Sequence, residues 1–240
     1  MAWSGEERVC RAWRIAAAAL FGASMLLPGL ALAEQRRSVV ELFTSQGCSS
    51  CPPANANLAA ISARPDVIAL SFGVTYWDRL GWKDTFARKD YTARQAVYEA
   101  PLGEPGPFTP QIVVGGRASV VGHERAEIER LIARDLATSP ATTVQLGAGS
   151  VAVGAGRAPS GGADIWLVRY DPARVDVPVR RGENGGRTLP HTNVVRDLAL
   201  IGSWAGAPVT IPVSRAQDGL KTAILVQGRA GGPILASAGD

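Results

Sequence analysis

The stretch from Val39 to Pro53, VVELFTSQGCSSCPP, constrains this chain more than any other. Ser38 to Phe43 is β-rich and alternates little, the pattern of a strand buried on both faces. Thr44 to Gly47 forms a short loop leading to Cys48, and Cys51 follows. Pro52 and Pro53 would break a helix interior. At a helix start their missing N–H groups cost little, because the first four N–H groups there lack an intrahelical partner. The prolines thus place a helix N-terminus beside Cys48, with the helix running to about Ala63.

The cysteine count sharpens this. The first 33 of the 240 residues read as an export leader. Arg8, Arg11 and Arg14 form a basic region, Ile15 to Leu27 is apolar, and Ala31-Leu32-Ala33 is a small-residue cleavage site before Glu34. The rival is an uncleaved anchor. Ile15 to Ala33 has 19 uncharged residues, barely a bilayer's width, and Pro28-Gly29 interrupts them. No Cys follows the cleavage site, which argues against a lipoprotein. Cleavage removes Cys10 and both methionines and lowers the net charge from +4 to +3. The mature protein, periplasmic or secreted, then holds only Cys48 and Cys51 in an oxidising compartment. A disulfide between them closes so short a loop that it stabilises little, which favours redox chemistry over a scaffold role. The mild basic balance has no Lys/Arg run and gives no case for nucleic acid.

Further along, Val67 to Val74 reads as a second strand and Arg88 to Glu99 as a helix. Pro101 to Pro107 is a loop. Thr109 to Val114 is a third strand with Pro110 at its start, Gly115-Gly116 a hairpin turn, Ala118 to Val121 a fourth strand, and Glu124 to Leu136 an amphipathic helix. The order β-α-β-α-β-β-α around a Cys-x-x-Cys pair is that of thioredoxin. Ala137 to Thr143 has linker composition. Beyond it come short strands at Thr143–Leu146, Ser150–Val153, Asp164–Tyr170, Val175–Arg180, Asn193–Leu200, Val209–Val213 and Thr222–Gln227, punctuated by Gly, Pro and Asn. That spacing predicts an antiparallel sandwich. The expected architecture is an α/β thioredoxin-like domain at 34–138 followed by a β-rich, sandwich-like domain at 139–240.

A helix N-terminus carries partial positive charge and free N–H donors, which favour a thiolate. Cys48, the first and by placement the more exposed cysteine, is the expected nucleophile, and Cys51 the resolving thiol. An inert disulfide and a two-thiolate Cu(I) site are the alternatives. Zinc wants about four ligands, and neither His123 nor His191 has metal-ligand spacing to the cysteines. No metal or other cofactor is expected. Trp77, Asp78 and Trp82 belong to a dense segment, Tyr76 to Asp84, that reads equally as aromatic packing or as a cleft wall over Cys48. Arg94 and Gln95 are placed to pack against it. Arg181 to Arg187, RGENGGR, reads as a polar hairpin with Asn184-Gly185 as its turn and a solvated, charged tip. His191 reads as structural.

The chain resembles the bacterial exported family of unknown function DUF1223, through VVELFTSQGCSSCPPAN, YWDRLGWKD, ARQAVYEA, FTPQIVVGG, and RGENGGRT followed by HTNVV. The resemblance implies a thioredoxin-like domain with a β-rich C-terminal region. It implies a cis-proline at Pro110 beside the cysteines, with Thr109 offering backbone groups to a bound peptide. It also gives the RGENGGR run a packing or cleft role. One departure stands out: where the family reads close to HVDYWD, this chain has Gly73-Val74-Thr75-Tyr76-Trp77-Asp78. The leading expectation is thiol–disulfide exchange on exported proteins, with a redox partner in the membrane or periplasm. The rivals are a non-catalytic periplasmic binding or assembly module with a structural disulfide, and a Cu(I) carrier.

Overall fold

The computed structural model describes residues 37–217 and 219–240; the expected leader lies outside the described residues. Strand β1 (Ser38–Thr44) pairs in parallel with β2 (Val67–Gly73) and antiparallel with β3 (Gln111–Val114), which pairs with β4 (Ala118–Val121). Gly115 and Gly116 turn β3 into β4 at φ 60° and 63°, the left-handed pair that such a two-residue turn requires. Every residue of β1 and β2 is buried, because helices cover one face and a second core covers the other. Val40 and Leu42 meet α1 (Pro52–Ile61) and α4 (Arg125–Leu136) through Leu58, Ile61, Ile128 and Ile132. Val39 and Phe43 face the opposite way, toward Phe72 and Tyr91 and Tyr98. Tyr91 lies on α2 (Lys89–Ala96), and Tyr98 caps the short α3 (Glu99–Leu102). This last helix takes in Pro101, which the sequence places in a loop.

The remaining strands are β5 (Val144–Leu146), β6 (Ser150–Val153), β7 (Ala163–Asp171), β8 (Val175–Pro178), β9 (Thr188–His191), β10 (Val194–Trp204), β11 (Val209–Pro212), β12 (Lys221–Gly228) and β13 (Ile234–Gly239). Four of them extend the first sheet, in the order β13-β12-β7-β10-β2-β1-β3-β4. The junction is a parallel contact of Val194 with Ser71. Asn193, at φ 51°, secures it by accepting the Ser71 N–H and donating Nδ2 to the Ala69 carbonyl at 2.8 Å. The two sides of the expected boundary at Thr138/Ser139 therefore contribute to one mixed sheet, and the described residues fall in one unit. They also share a core, since Val168, Val195 and Leu225 pack with Phe43 and Tyr98. The sheet β11-β6-β5 packs on β7, β12 and β13 through Val151, Val153, Ile165 and Val226. The protein is thus mixed α/β, mostly strand, with one large mixed sheet and two small ones. No helix among the described residues is long and apolar enough to cross a membrane.

Candidate functional site

Cys48 and Cys51 are joined by a disulfide, with Cα atoms 5.4 Å apart. Cys51 is the N-cap of α1, and its carbonyl accepts the Ala54 and Asn55 N–H groups. Pro52 and Pro53 occupy the first helical turn, as their sequence position predicts. The first turn contains no acidic residue and the cap makes no side-chain bond. Pro52 and Pro53 carry no N–H, and the Ala54 and Asn55 N–H groups are taken by the Cys51 carbonyl, so what the helix end offers the cysteines is its partial positive charge. Ser50 donates its hydroxyl to Cys48 Sγ at 3.3 Å.

The expected exposure of Cys48 is corrected: both cysteines are 0% exposed. The segment read as a solvated hairpin tip lies against the loop that carries Cys48. Strands β8 and β9 do pair, and residues 179–187 connect them. The tip folds as two overlapping turns, in which Gly185 N–H bonds the Gly182 carbonyl and Arg187 N–H the Asn184 carbonyl. Its positive-φ positions are Gly182 and Gly186, not the Asn184-Gly185 pair that the sequence suggests. Arg181, Gly182, Glu183, Gly185, Gly186 and Arg187 are exposed, yet Asn184 is 0% exposed. Asn184 Nδ2 donates to the Gln46 carbonyl at 3.0 Å and the Cys48 carbonyl at 2.9 Å. Glu183 Oε2 accepts the Ser49 N–H at 3.0 Å, and hydrogen bonds from Ser49 lower its pKa. An acidic group thus does reach the mouth of α1, from a segment far along the chain.

Behind the cysteines, Gln46 organises the aromatic segment. Its N–H donates to Asp84 Oδ2 at 2.7 Å. Its Oε1 accepts Trp82 Nε1 at 2.9 Å and the Thr85 N–H at 3.2 Å, and its Nε2 donates to Thr85 Oγ1 at 2.8 Å. Asp84 also accepts the Phe86 and Ala87 N–H groups, and burial raises its pKa. Asp78 Oδ1 in turn accepts the Asp84 N–H at 3.0 Å. Trp82 and Asp78 therefore stand one and two contacts from the loop that carries Cys48.

Trp77 reaches the proline. Its Nε1 donates to Thr109 Oγ1 at 2.7 Å, and its Cβ lies beside Gly47. The Thr109–Pro110 bond is cis, and Pro110 is buried. Tyr76, Trp77, Arg79, Leu80, Pro107, Thr75 and Glu183 line a surface cleft of about 650 Å³. The aromatic segment and the hairpin tip thus meet at one opening.

Gln95 does pack toward this region, donating to the Phe108 carbonyl and Gln111 Oε1. Arg94 turns away into the core, where it pairs with Glu41, and Glu41 is a buried group that the sequence reading passed over. Its signal was a lone carboxylate inside an apolar strand. The departure at Gly73 also has a physical consequence. A Cβ there would meet the backbone of Phe86 and Ala87 at 2.9 Å, so the segment carrying Asp84 sits where a larger residue would stand. Thr75 is used locally, with its N–H and hydroxyl both 3.0 Å from Thr92 Oγ1. Among the described residues no group of three or more His, Cys, Asp or Glu could hold a metal ion.

A mixed α/β protein with a disulfide at a helix mouth, clamped from behind by an aromatic segment and covered by a distant hairpin, is the class that fold and site define. The chain belongs to the family described as a protein of unknown function, DUF1223, which it matches over residues 39–227. It is similar to a protein from Agrobacterium tumefaciens known from a crystal structure, at 32% identity and a TM-score of 0.70, over 86% of this chain and 94% of that one. HBP35 of Porphyromonas gingivalis shares the fold at 12% identity and a TM-score of 0.51, over 86% of this chain and 75% of that one. No curated protein matches.

Proposed function

We propose that the protein is an exported thiol–disulfide oxidoreductase-like protein acting through Cys48 and Cys51 on the thiols and disulfides of other exported proteins. We read β1, α1, β2, α2, β3, β4 and α4 as a thioredoxin-like arrangement, with residues 139–240 as a β-rich second domain sharing its sheet. The leader is read as directing the chain to the periplasm or outside, with Glu34 as the mature N-terminus. The observation that carries the function is the position of the Cys48–Cys51 disulfide, at the mouth of α1. Trp77 links its loop to Thr109–Pro110, and the adjoining cleft offers aromatic side chains to a client polypeptide.

In the reducing direction the Cys48 thiolate attacks one sulfur of a client disulfide. A mixed disulfide forms and one client thiolate leaves. The Cys51 thiolate then attacks Cys48 Sγ, the second client thiolate leaves, and Cys48–Cys51 is oxidised as the client gains two electrons. The same steps reversed oxidise a client dithiol, and the reduction potential sets the direction.

One observation favours a second reading. Both sulfurs are buried, as in an inert structural bond of a binding or assembly module. The reduction potential and the Cys48 thiolate pKa separate the two. Exchange chemistry predicts a potential within the span of about −120 to −270 mV and a depressed thiolate pKa, with insulin reduction abolished in Cys48→Ser. A potential below about −300 mV with a sluggish thiol would instead establish the structural bond.

A further inference from the structure

The tip at 179–187 has the makings of a moving part. It sits on β8 and β9, which pair with each other and with no third strand. Gly182 at φ 76° and Gly186 at φ 81° bracket Asn184, and as glycines they can adopt other backbone conformations once the tip's own turn bonds break. Two side chains hold it down. Asn184 makes neutral bonds to two carbonyls of the cysteine loop, and the exposed Glu183 makes a single bond to Ser49. Val179, at the base of the tip, is buried and is its apolar anchor, whereas residues 181–187 contain no apolar side chain.

Thiol–disulfide exchange needs an attacking sulfur to reach a disulfide sulfur directly. With both cysteines at 0% exposure, the closed form offers no such approach. We propose that residues 179–187 are a gate over Cys48–Cys51, with Asn184 as its latch, and that the gate lifts before the pair reacts. The inference rests on the redox reading of the pair. The Glu183 carboxylate at the mouth of α1 works in the same sense, since its negative charge opposes a thiolate at Cys48 until the gate is raised. Glu183 also lines the adjoining cleft, so a polypeptide entering there competes with Ser49 for the carboxylate and loosens the gate.

The test is the rate at which dithiothreitol reduces the oxidised full-length mature protein, followed by thiol release, in wild type, Asn184→Ala and Glu183→Gln. Losing two latch bonds predicts a roughly 30-fold faster reduction for Asn184→Ala, and about 3-fold for Glu183→Gln. Circular dichroism and melting curves check the fold, and if Asn184→Ala does not fold, Glu183→Gln decides. A gate opens locally, so the rate should stay nearly flat up to about 1 M urea. Rates equal to wild type in the folded variants would overturn the gate, as would a rate that climbs with urea as steeply as global unfolding does. Insulin reduction reports separately on the redox reading. Its absence with the variant rates still raised would sink the oxidoreductase and leave the gate.

Discussion

Two buried polar centres lie within a few residues of each other on the same segment, and they are built from different materials. The first is charged. Glu41, mid-way along β1, accepts Arg94 Nε at 2.5 Å and the Tyr98 hydroxyl. Arg94 Nη2 continues to Tyr98 and to Gln227 Oε1 on β12. Burial, the largest single influence, opposes the charge of Arg94, but the Coulombic pull and hydrogen bond of Glu41 together with Tyr98 outweigh it and raise its pKa. Burial likewise raises the Tyr98 pKa, keeping the phenol a hydrogen donor. The second centre, around Gln46 and Asn184, works mainly through amides, indoles and backbone groups, with Asp84 its buried carboxylate. A buried charge that loses its partner costs several kcal/mol, whereas a neutral amide loses about one per bond. The charged centre therefore fastens β1, α2 and β12 together permanently. The amide centre can release one of its members, the hairpin tip, without collapsing.

The largest effect should come from breaking the charged centre. Glu41→Ala strands Arg94 inside the core and is expected to lower stability by about 3–5 kcal/mol in urea unfolding, while Glu41→Leu with Arg94→Met should recover most of it. If the single variant loses less than 1 kcal/mol, the contrast between the centres fails.

Next in size is His191 on β9, at the base of the hairpin. It is 3% exposed and packs edge-on to Phe86. Burial depresses its pKa to about 4 from an ordinary 6.5, against a small opposing pull from Asp176. The unfolded chain then binds a proton below pH 6.5 that the folded protein refuses. Its contribution is whole above that pH and is lost as pH falls toward 4, by roughly 3 kcal/mol in all. Melting temperature measured across this window should fall less steeply in His191→Gln. Equal slopes would mean that the histidine takes up its proton in the folded state.

The smallest change should follow Gln46→Leu, which leaves the Trp82 indole and Thr85 N–H without their acceptor. A loss of about 2 kcal/mol is expected in the same urea titration, smaller than for Glu41→Ala. A larger loss would show that the amide centre, too, is a fixed part of the core.

Legibility in the sequence divided along physical lines. β1, β2 and β12 were readable as continuous β-rich runs, α4 from its helical periodicity, and the Gly115-Gly116 turn because its backbone demands glycine. β9 escaped because Thr-Leu-Pro-His is four residues long and includes Pro190, a poor strand former. β13 escaped because Ile-Leu-Ala-Ser-Ala-Gly is mostly small residues. At the site, the disulfide and helix mouth could be read from a few adjacent residues. Its cover could not: Asn184-Gly185 looks locally like an ordinary turn, and what buries Asn184 is a pair of carbonyls at Gln46 and Cys48. Glu41 was visible as an oddity, but nothing nearby points to Arg94 or Gln227 as its partners.

The Asn184 contact also has a history in time. It joins residues 136 positions apart, and synthesis runs from the N-terminus. A growing chain carries both cysteines long before the segment that covers them has been made. Whatever oxidises or scrambles these thiols during synthesis meets them bare, and closure comes late, as a long-range step in folding. The redox state of the pair is thus open to its surroundings once at birth, before the hairpin arrives to shut it in.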